Sequence, residues 1–363
     1  MSSSSAEADG RALVYCEGAY GTTNGKTAHG LVRRTRRYEV VGVIDSRHAD
    51  RDAGSVLDGT RRDIPIYASV EEGVRRCAAR RSPATHLVVG LAPDGGGLSE
   101  STYEDIATAL GSGLNVDSGL HVFLSEDEAL SRLAAKNGVA IRDVRRPPPR
   151  DQLHFFSGKI EQVSALRVAV LGTDSAVGKR TTAWELVDGL ERLGLAAELV
   201  GTGQTAWMQG ARYGVIFDSL VNDFVTGEIE HAVHLCDRER RPDVIVIEGQ
   251  GSLMNPAYPG GLEILAAGRP HLVILQHAPA RREYDGFPGY PLHPLPQQIQ
   301  AVELLSGRPV AAIAVNSEGI PVDEIPAVCR AVERETGRPA VEVLREGPAR
   351  LTELVRERLN RRN

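Results

Sequence analysis

Short apolar runs rich in Val, Ile and Leu alternate along this chain with longer stretches whose apolar residues recur every three or four positions. The runs have the pattern of strands buried on both faces, and the longer stretches that of amphipathic helices. In the first half, strands are predicted at 12–16, 40–45, 86–92, 114–117 and 139–144, with helices at 27–37, 70–80, 104–112 and 126–137. Regular alternation of this kind builds a parallel sheet covered by helices. The segment Arg145-Arg-Pro-Pro-Pro-Arg150 interrupts the rhythm, because three consecutive prolines continue neither a helix nor a central strand. A domain boundary is expected there. The alternation then resumes, with strands at 167–171, 197–200, 243–247, 271–276 and 310–315 and helices at 179–193, 229–240, 297–306 and 325–336.

Composition narrows the class. With 363 residues, 42% hydrophobic and 25% charged, the chain holds enough apolar material for two cores. Its net charge of -6 argues against a nucleic-acid partner, whose usual footprint is a basic face. No apolar run reaches the roughly 18 residues of a membrane helix. Residues 1–10, Ser-rich and acidic, lack the positive-then-apolar order of a secretory signal. The cysteines Cys16, Cys77, Cys236 and Cys329 lie far apart with no Cys-x-x-Cys pair. Neither a disulfide framework nor a structural zinc site is expected, and the cytoplasm is the default compartment. Lysines number four among the 42 basic residues, and three of them, Lys26, Lys159 and Lys179, follow a glycine. In an arginine-rich chain, these are places where a compact ammonium suits better than a planar fork.

The last of these lysines closes a phosphate-binding pattern. Gly172-Thr173-Asp174-Ser175-Ala176-Val177-Gly178-Lys179 joins the strand at 167–171 to the helix at 179–193. A glycine-rich turn in that position aims backbone N–H groups at an anion, the helix N-terminus adds partial positive charge, and the lysine completes the cradle. The spacing is one residue longer than the common Gly-x-x-x-x-Gly-Lys loop. In nucleotide hydrolases the next residue is Ser or Thr, whose hydroxyl holds Mg2+. Here it is Arg180, with Thr181 and Thr182 beyond. A guanidinium cannot coordinate a cation, so the loop suits phosphates that are held rather than transferred, such as those of coenzyme A. Residues 172–181 are assigned to the cofactor, and no metal site is assigned.

Polar residues at other strand ends extend the candidate site, because ligands of doubly wound sheets gather at the carboxyl ends of the strands. Val244-Ile-Val-Ile-Glu248-Gly-Gln-Gly ends in an acid expected to face the loop, as a general base for an amine, as an outer contact to a metal, or as a capping or salt-bridging carboxylate. Gly201-Thr-Gly-Gln204-Thr offers backbone donors and the Gln204 amide to the cofactor. Asp117-Ser-Gly-Leu-His121 follows a short strand, with His121 a second candidate acid or base. The stretch 277–296, rich in Pro, Gly and aromatics, has the character of a lid or substrate wall and carries His277 and His293. In the first half, a glycine-rich turn ending in Gly25-Lys26 follows the first strand, and Asp45 ends the second, where a dinucleotide-binding domain keeps its ribose-binding acid. The glycine spacing of that turn departs from the dinucleotide fingerprint.

The loop at 172–179 resembles that of dethiobiotin synthetase, extra residue included, as does Glu248-Gly-Gln-Gly. The ordered set as a whole is similar to the DUF1611 family. It comprises Gly25-Lys-Thr-Ala28, Ser118-Gly-Leu-His121, the 172–179 loop, Thr202-Gly-Gln-Thr205 and Ile247-Glu-Gly-Gln-Gly-Ser-Leu253, and the likeness spans about residues 12–350. That resemblance implies an α/β chain of two domains, an N-terminal Rossmann-like parallel sheet and a C-terminal P-loop NTPase-like doubly wound parallel sheet. The expected layout is a disordered tail at 1–10, the Rossmann-like domain at 11–145, a linker at 146–165 and the P-loop domain at 166–355. A branch of the family acetylates the amino group of D-glutamate with acetyl-CoA. The resemblance therefore implies an acetyl-CoA-dependent N-acetyltransferase acting on an acidic, D-glutamate-like amino acid, with Glu248 or His121 taking the amine proton. The N-terminal turn is longer than in that branch and carries Tyr20, Thr22, Thr23 and Asn24, which bears on the substrate. Two alternatives stay open: a ligase or kinase using ATP with Mg2+, like dethiobiotin synthetase, and a non-catalytic nucleotide- or NAD-binding protein. A homo-oligomer is compatible with each.

Overall fold

A computed structural model describes residues 8–92 and 97–362. Most of the tail expected at 1–10 lies outside the described residues. The chain forms two compact units, one of residues up to 147 together with 204–210, the other of 148–203 together with 211 onward.

The first unit runs β1 (Gly10–Tyr15), α1 (Lys26–Arg33), β2 (Tyr38–Ile44), α2 (Ala53–Asp58), β3 (Ile66–Tyr67), α3 (Val70–Ala79), β4 (His86–Val89), α4 (Glu100–Gly111), β5 (Asn115–Ser118), α5 (Glu128–Asn137) and β6 (Ile141–Asp143). Its six strands form a wholly parallel sheet in the order β3-β2-β1-β4-β5-β6. Along β1, Leu13 and Tyr15 enter one hydrophobic cluster with Leu87 and Ile106, while Ala12 and Val14 enter another with Ala28 and Leu31. Successive side chains leave a strand on opposite faces, so both faces are covered and the run reads as continuously apolar. Neither β3 nor α2 is legible in the periodicity: one has two residues and the other six. Helix α4 starts at Glu100 rather than 104, because the Ser99 side chain accepts the N–H of Thr102 and caps it there.

The second half contains β7 (Leu166–Gly172), α6 (Lys179–Arg192), β8 (Ala197–Gly201), α7 (Gln204–Met208), β9 (Tyr213–Gly214), α8 (Asn222–Arg240), β10 (Val244–Glu248), β11 (Leu272–His277), α9 (Leu295–Ser306), β12 (Val310–Val315), α10 (Ile325–Thr336), β13 (Ala340–Val341), α11 (Val343–Glu346) and α12 (Ala349–Asn360). Seven parallel strands pair in the order β13-β12-β11-β7-β10-β8-β9, with the phosphate-loop strand β7 in the middle. One face of β7 contributes Ala169 and Leu171 to a core shared with Ile245, Ile247, Val273 and Leu275. Val168 and Val170, equally buried, turn to the other face. Residues 157–165, within the stretch read as a linker, add Ile160, Val163 and Ala165 to that core. Two buried acids of α8 hold this segment down. Glu230 accepts from the N–H groups of Ser157 and Ile160 and from the Ser157 hydroxyl, and Asp237 from Ser164 and Ala165.

Helix α7 belongs to the first unit although the chain reaches it from β8. Thr205 Oγ1 lies 2.8 Å from Thr27 Oγ1, Met208 is fully buried among the residues of α1 and β1, and Gln209 Nε2 donates to the carbonyls of Gly30 and Arg34. Among the described residues, no helix is long and apolar enough to cross a membrane.

Candidate functional site

Strand β7 delivers Gly172 to the carboxyl edge of its sheet, and α6 begins seven residues later at Lys179. The loop between them turns through two left-handed residues, Ala176 at φ 50° and Gly178 at φ 104°. A Cβ on Gly172 would meet Lys179 Cδ at 2.8 Å and Val177 Cγ2 at 2.9 Å, so the lysine stem can fold over the loop because that Cβ is missing. Lys179 Nζ donates to the carbonyls of Asp174 at 2.7 Å and Gly251 at 2.8 Å, tying the loop to the turn after β10. Gly178 caps α6 without a side-chain hydrogen bond, which leaves the first N–H groups of the helix disposed to receive an anion.

Loop residues differ in what they touch. The Asp174 carboxylate, fully buried, accepts from Ser175 N, Asn255 Nδ2, Arg281 Nη1 and Asp285 N at 2.6–2.9 Å. It thereby anchors the 281–285 wall to the loop. The Ser175 carbonyl also accepts from Arg281 Nη1, and the Val177 carbonyl from Asn316 Nδ2. Thr173 Oγ1 lies 3.1 Å from His277 Nδ1. Burial lowers that ring's pKa to about 4, so His277 is neutral. Thr181 is half-buried in the first turn of α6, while Thr182 Oγ1 donates to Gln276 Oε1. His293, on the same wall as Arg281, bonds the Tyr284 hydroxyl at 2.7 Å.

Glu248 ends β10 beside this loop. It is 4% exposed, and its Oε2 accepts the N–H of Thr202 at 2.8 Å. Burial raises its pKa above the usual carboxylate value; the positive charge of Arg180, the Thr202 hydrogen bond and the charge of Lys179 pull the other way. A buried carboxylate of raised proton affinity, held by one backbone donor, is a proton acceptor matched to an ammonium. Among the described residues, no group of three His, Cys, Asp or Glu gathers as a metal site.

Similar proteins bear on this arrangement. Residues 154–352 match the P-loop domain described as DUF1611_C, a domain of unknown function, and residues 46–147 match the Rossmann-like domain described as DUF1611_N. The chain belongs to the DUF1611 family. A crystal structure of a DUF1611 family protein from Anabaena variabilis ATCC 29413, at 2.30 Å resolution, superposes with a TM-score of 0.87 and 29% identity, covering 96% of this chain and 99% of that one. A protein named D-glutamate N-acetyltransferase from Tritonibacter scottomollicae is 31% identical over 320 residues, 86% of this chain and 92% of its own length. A second protein of that name, from a Pseudoalteromonas species, is 30% identical over 222 residues, 60% of this chain and 64% of its own length.

In this DUF1611 chain the remaining sequence candidates lie in the first unit. His121 is exposed on the turn after β5, and among the described residues no hydrogen bond orients its ring. Gln204 opens α7, with its Cγ 2.8 Å from where a Cβ on Gly119 would stand. Asp45, fully buried, accepts from the N–H groups of Tyr20 and Arg47 and lies 3.1 Å from His48 Nδ1. Its carboxylate therefore organises the long N-terminal turn, where the buried Tyr20 donates its hydroxyl to Ala53 O. Sequence reasoning did not single out Asn255, Gln276, Arg281 or Asn316. Gln276 had a signal, a polar residue at the end of an apolar strand adjacent to β7; the other three reach the loop from irregular segments.

Proposed function

We propose that this DUF1611 chain is an N-acetyltransferase that moves the acetyl group of acetyl-CoA to the amino group of a small acidic amino acid such as D-glutamate. The observation that carries the reading is the buried Glu248 of raised proton affinity beside the Lys179-centred cradle. The two relatives named D-glutamate N-acetyltransferase, each about 30% identical, support an enzyme of this class. Coenzyme A suits the cradle because its phosphates need N–H donors and an ammonium but no catalytic cation, and Arg180 stands where a Mg2+-binding hydroxyl would be. Glu248 accepts one proton from the substrate ammonium. The freed amine attacks the thioester carbonyl, the C–N bond forms, the C–S bond breaks and sulfur leaves as thiolate. As the intermediate collapses, nitrogen gives up its second proton; one of the two protons ends on sulfur and the other in solvent. The four cysteines are free and buried, which suits the cytoplasm as the place of action.

Calorimetry with acetyl-CoA, and separately with ATP plus Mg2+, tests the ligand, and release of free thiol in the presence of D- or L-glutamate tests the reaction. Acetyl-CoA is expected to bind at micromolar levels and D-glutamate to be acetylated. Lys179→Ala removes a charged donor worth about 1.5–3 kcal/mol, and so is expected to weaken acetyl-CoA binding roughly 10–100-fold. Tight Mg-ATP binding with none for acetyl-CoA would overturn the reading in favour of a ligase.

A further inference from the structure

At the amino end of the second unit's sheet, opposite the phosphate loop, lies a cavity of about 280 Å³ lined by Arg167, Arg269, Arg308 and Arg362 together with His271 and Glu161. We propose that it is a binding site for a small multivalent oxyanion, of phosphate or polycarboxylate type. The volume is near the lower end for ligand sites, and at about 30 Å³ per molecule it corresponds to several waters.

The lining carries more positive charge than its one carboxylate offsets. Arg167 belongs to β7 and is 6% exposed. Its Nε donates to the Arg269 carbonyl at 3.1 Å and its Nη1 to the Val163 carbonyl at 3.0 Å. These two bonds fix the guanidinium plane and use two of its five N–H donors. Glu161, the carboxylate among the lining residues, is paired with Arg269. Asp237, whose charge favours the Arg167 cation, has its oxygens bonded to Ser164 and Ala165. Among the described residues, no carboxylate pairs with Arg167, Arg308 or Arg362; Arg362 Nη1 instead donates to the Ala165 carbonyl.

His271 fits the same picture. The Arg167 backbone N–H donates to His271 Nδ1 at 3.0 Å, so the neutral ring carries its proton on Nε2 as a further donor. Burial and then the charges of Arg167, Arg362, Arg308 and Arg358 hold the ring neutral down to about pH 4. Holding several like charges around one recess costs free energy, and a bound anion turns that cost into attraction. Guanidinium groups favour planar or tetrahedral oxyanions, which they contact in pairs of hydrogen bonds. The net charge of -6 and the small volume of the recess favour a small anion over nucleic acid. Five residue steps of β7, about 16 Å, separate Arg167 from Gly172, so this site and the phosphate loop are distinct.

Titration calorimetry of the full chain carrying Lys179→Ala, which weakens the phosphate loop's hold on anions, brings out binding at the cavity. Pyrophosphate and citrate are the probes, each at low and at 0.2 M KCl. Binding of either probe is expected, weakening with salt, and at least tenfold weaker when Arg308→Ala and Arg362→Ala are added. Both arginines are exposed, so the altered protein should retain its fold, which thermal unfolding monitors. The stronger probe identifies phosphate or carboxylate chemistry. Failure of both anions to bind the Lys179→Ala protein, or equal affinity with and without the two cavity arginines, would overturn the proposal.

Discussion

Replacing Glu248 by Gln separates two consequences of one buried carboxylate. Glutamine keeps the shape and an oxygen to accept the Thr202 N–H now bonded at 2.8 Å, but cannot take a proton. If Glu248 is the base, the acetylation kcat of Glu248→Gln should fall about 10²–10⁴-fold, the usual contribution of a positioned general base, with Kd for acetyl-CoA within threefold of the parent. Stability should move the other way. Burial raises the folded-state pKa above the ordinary value of 4.5, so the favourable contribution of the protonated acid is full below that value and is lost as pH rises through the folded pKa. Each tenfold change in proton affinity is worth about 1.4 kcal/mol, or roughly 3–6 °C in Tm for a domain of this size at 2–4 °C per kcal/mol. Glu248→Gln should therefore unfold at a higher temperature than the parent at pH 8, with the gap closing toward pH 4. Calorimetric melting across pH 4–8, run beside stopped-time thiol-release assays, reads both. A variant with parental kcat, or one whose stability gap stays constant with pH, would refute the reasoning.

Three further outcomes follow from the same contacts. A Cβ on Gly249 would stand 2.5 Å from the Val170 carbonyl oxygen and 3.0 Å from Leu171 Cα, both backbone, so Gly249→Ala should cost about 1–3 kcal/mol and lower Tm accordingly. Asp174→Ala strips Arg281, Asp285 and Asn255 of a fully buried acceptor; breaking such a pair costs about 3–5 kcal/mol, and limited proteolysis should cut within 281–290 faster than in the parent. Glu230 works in the opposite pH direction from Glu248. Burial favours its neutral form, but the N–H groups of Ser157 and Ile160 and the Ser157 hydroxyl hold its pKa below 4.5. Its stabilising contribution is present above that value and lost as pH falls through the folded pKa. Glu230→Gln should thus melt below the parent at pH 7, and denaturant midpoints should converge below about pH 4.

The parts of this molecule that local pattern specifies are legible in the sequence. Val168–Leu171 and Ile245–Ile247 are unbroken apolar runs because both faces of a parallel sheet are covered. The phosphate loop and Glu248 sit at the carboxyl ends of such runs, where ligands of a doubly wound sheet gather, and that position placed them together. What could not be read is long-range. Asp174 meets Asn255 across 81 residues, Arg281 across 107 and Asp285 across 111, and Val177 meets Asn316 across 139. No periodicity records such partners, since each comes from a segment whose shape is set by the tertiary fold. The oxyanion cavity was hidden for another reason: in a chain with so many arginines, Arg167, Arg308 and Arg362 carry no mark until the fold brings them around one space. The two-residue strands β3, β9 and β13 fall below any pattern, their backbones being paired by neighbours rather than by their own side chains.

The excursion of the chain through α7 sets an order on biosynthesis. The first unit is not complete when its last consecutive residue, 147, leaves the ribosome; it waits for 204–210. At about 5–20 residues per second, the 63 residues from 148 to 210 take roughly 3–13 s to make. Throughout that interval the cluster around Ala28 and Leu31 lacks Met208, and the Arg37 guanidinium lacks the Trp207 ring it will cover at 3.8 Å. A nascent intermediate with an apolar slot of known position is thus built into every round of translation. The same connectivity means that no single cut yields two intact units, so a fragment ending at 147 should need a peptide spanning 204–210 before it melts cooperatively.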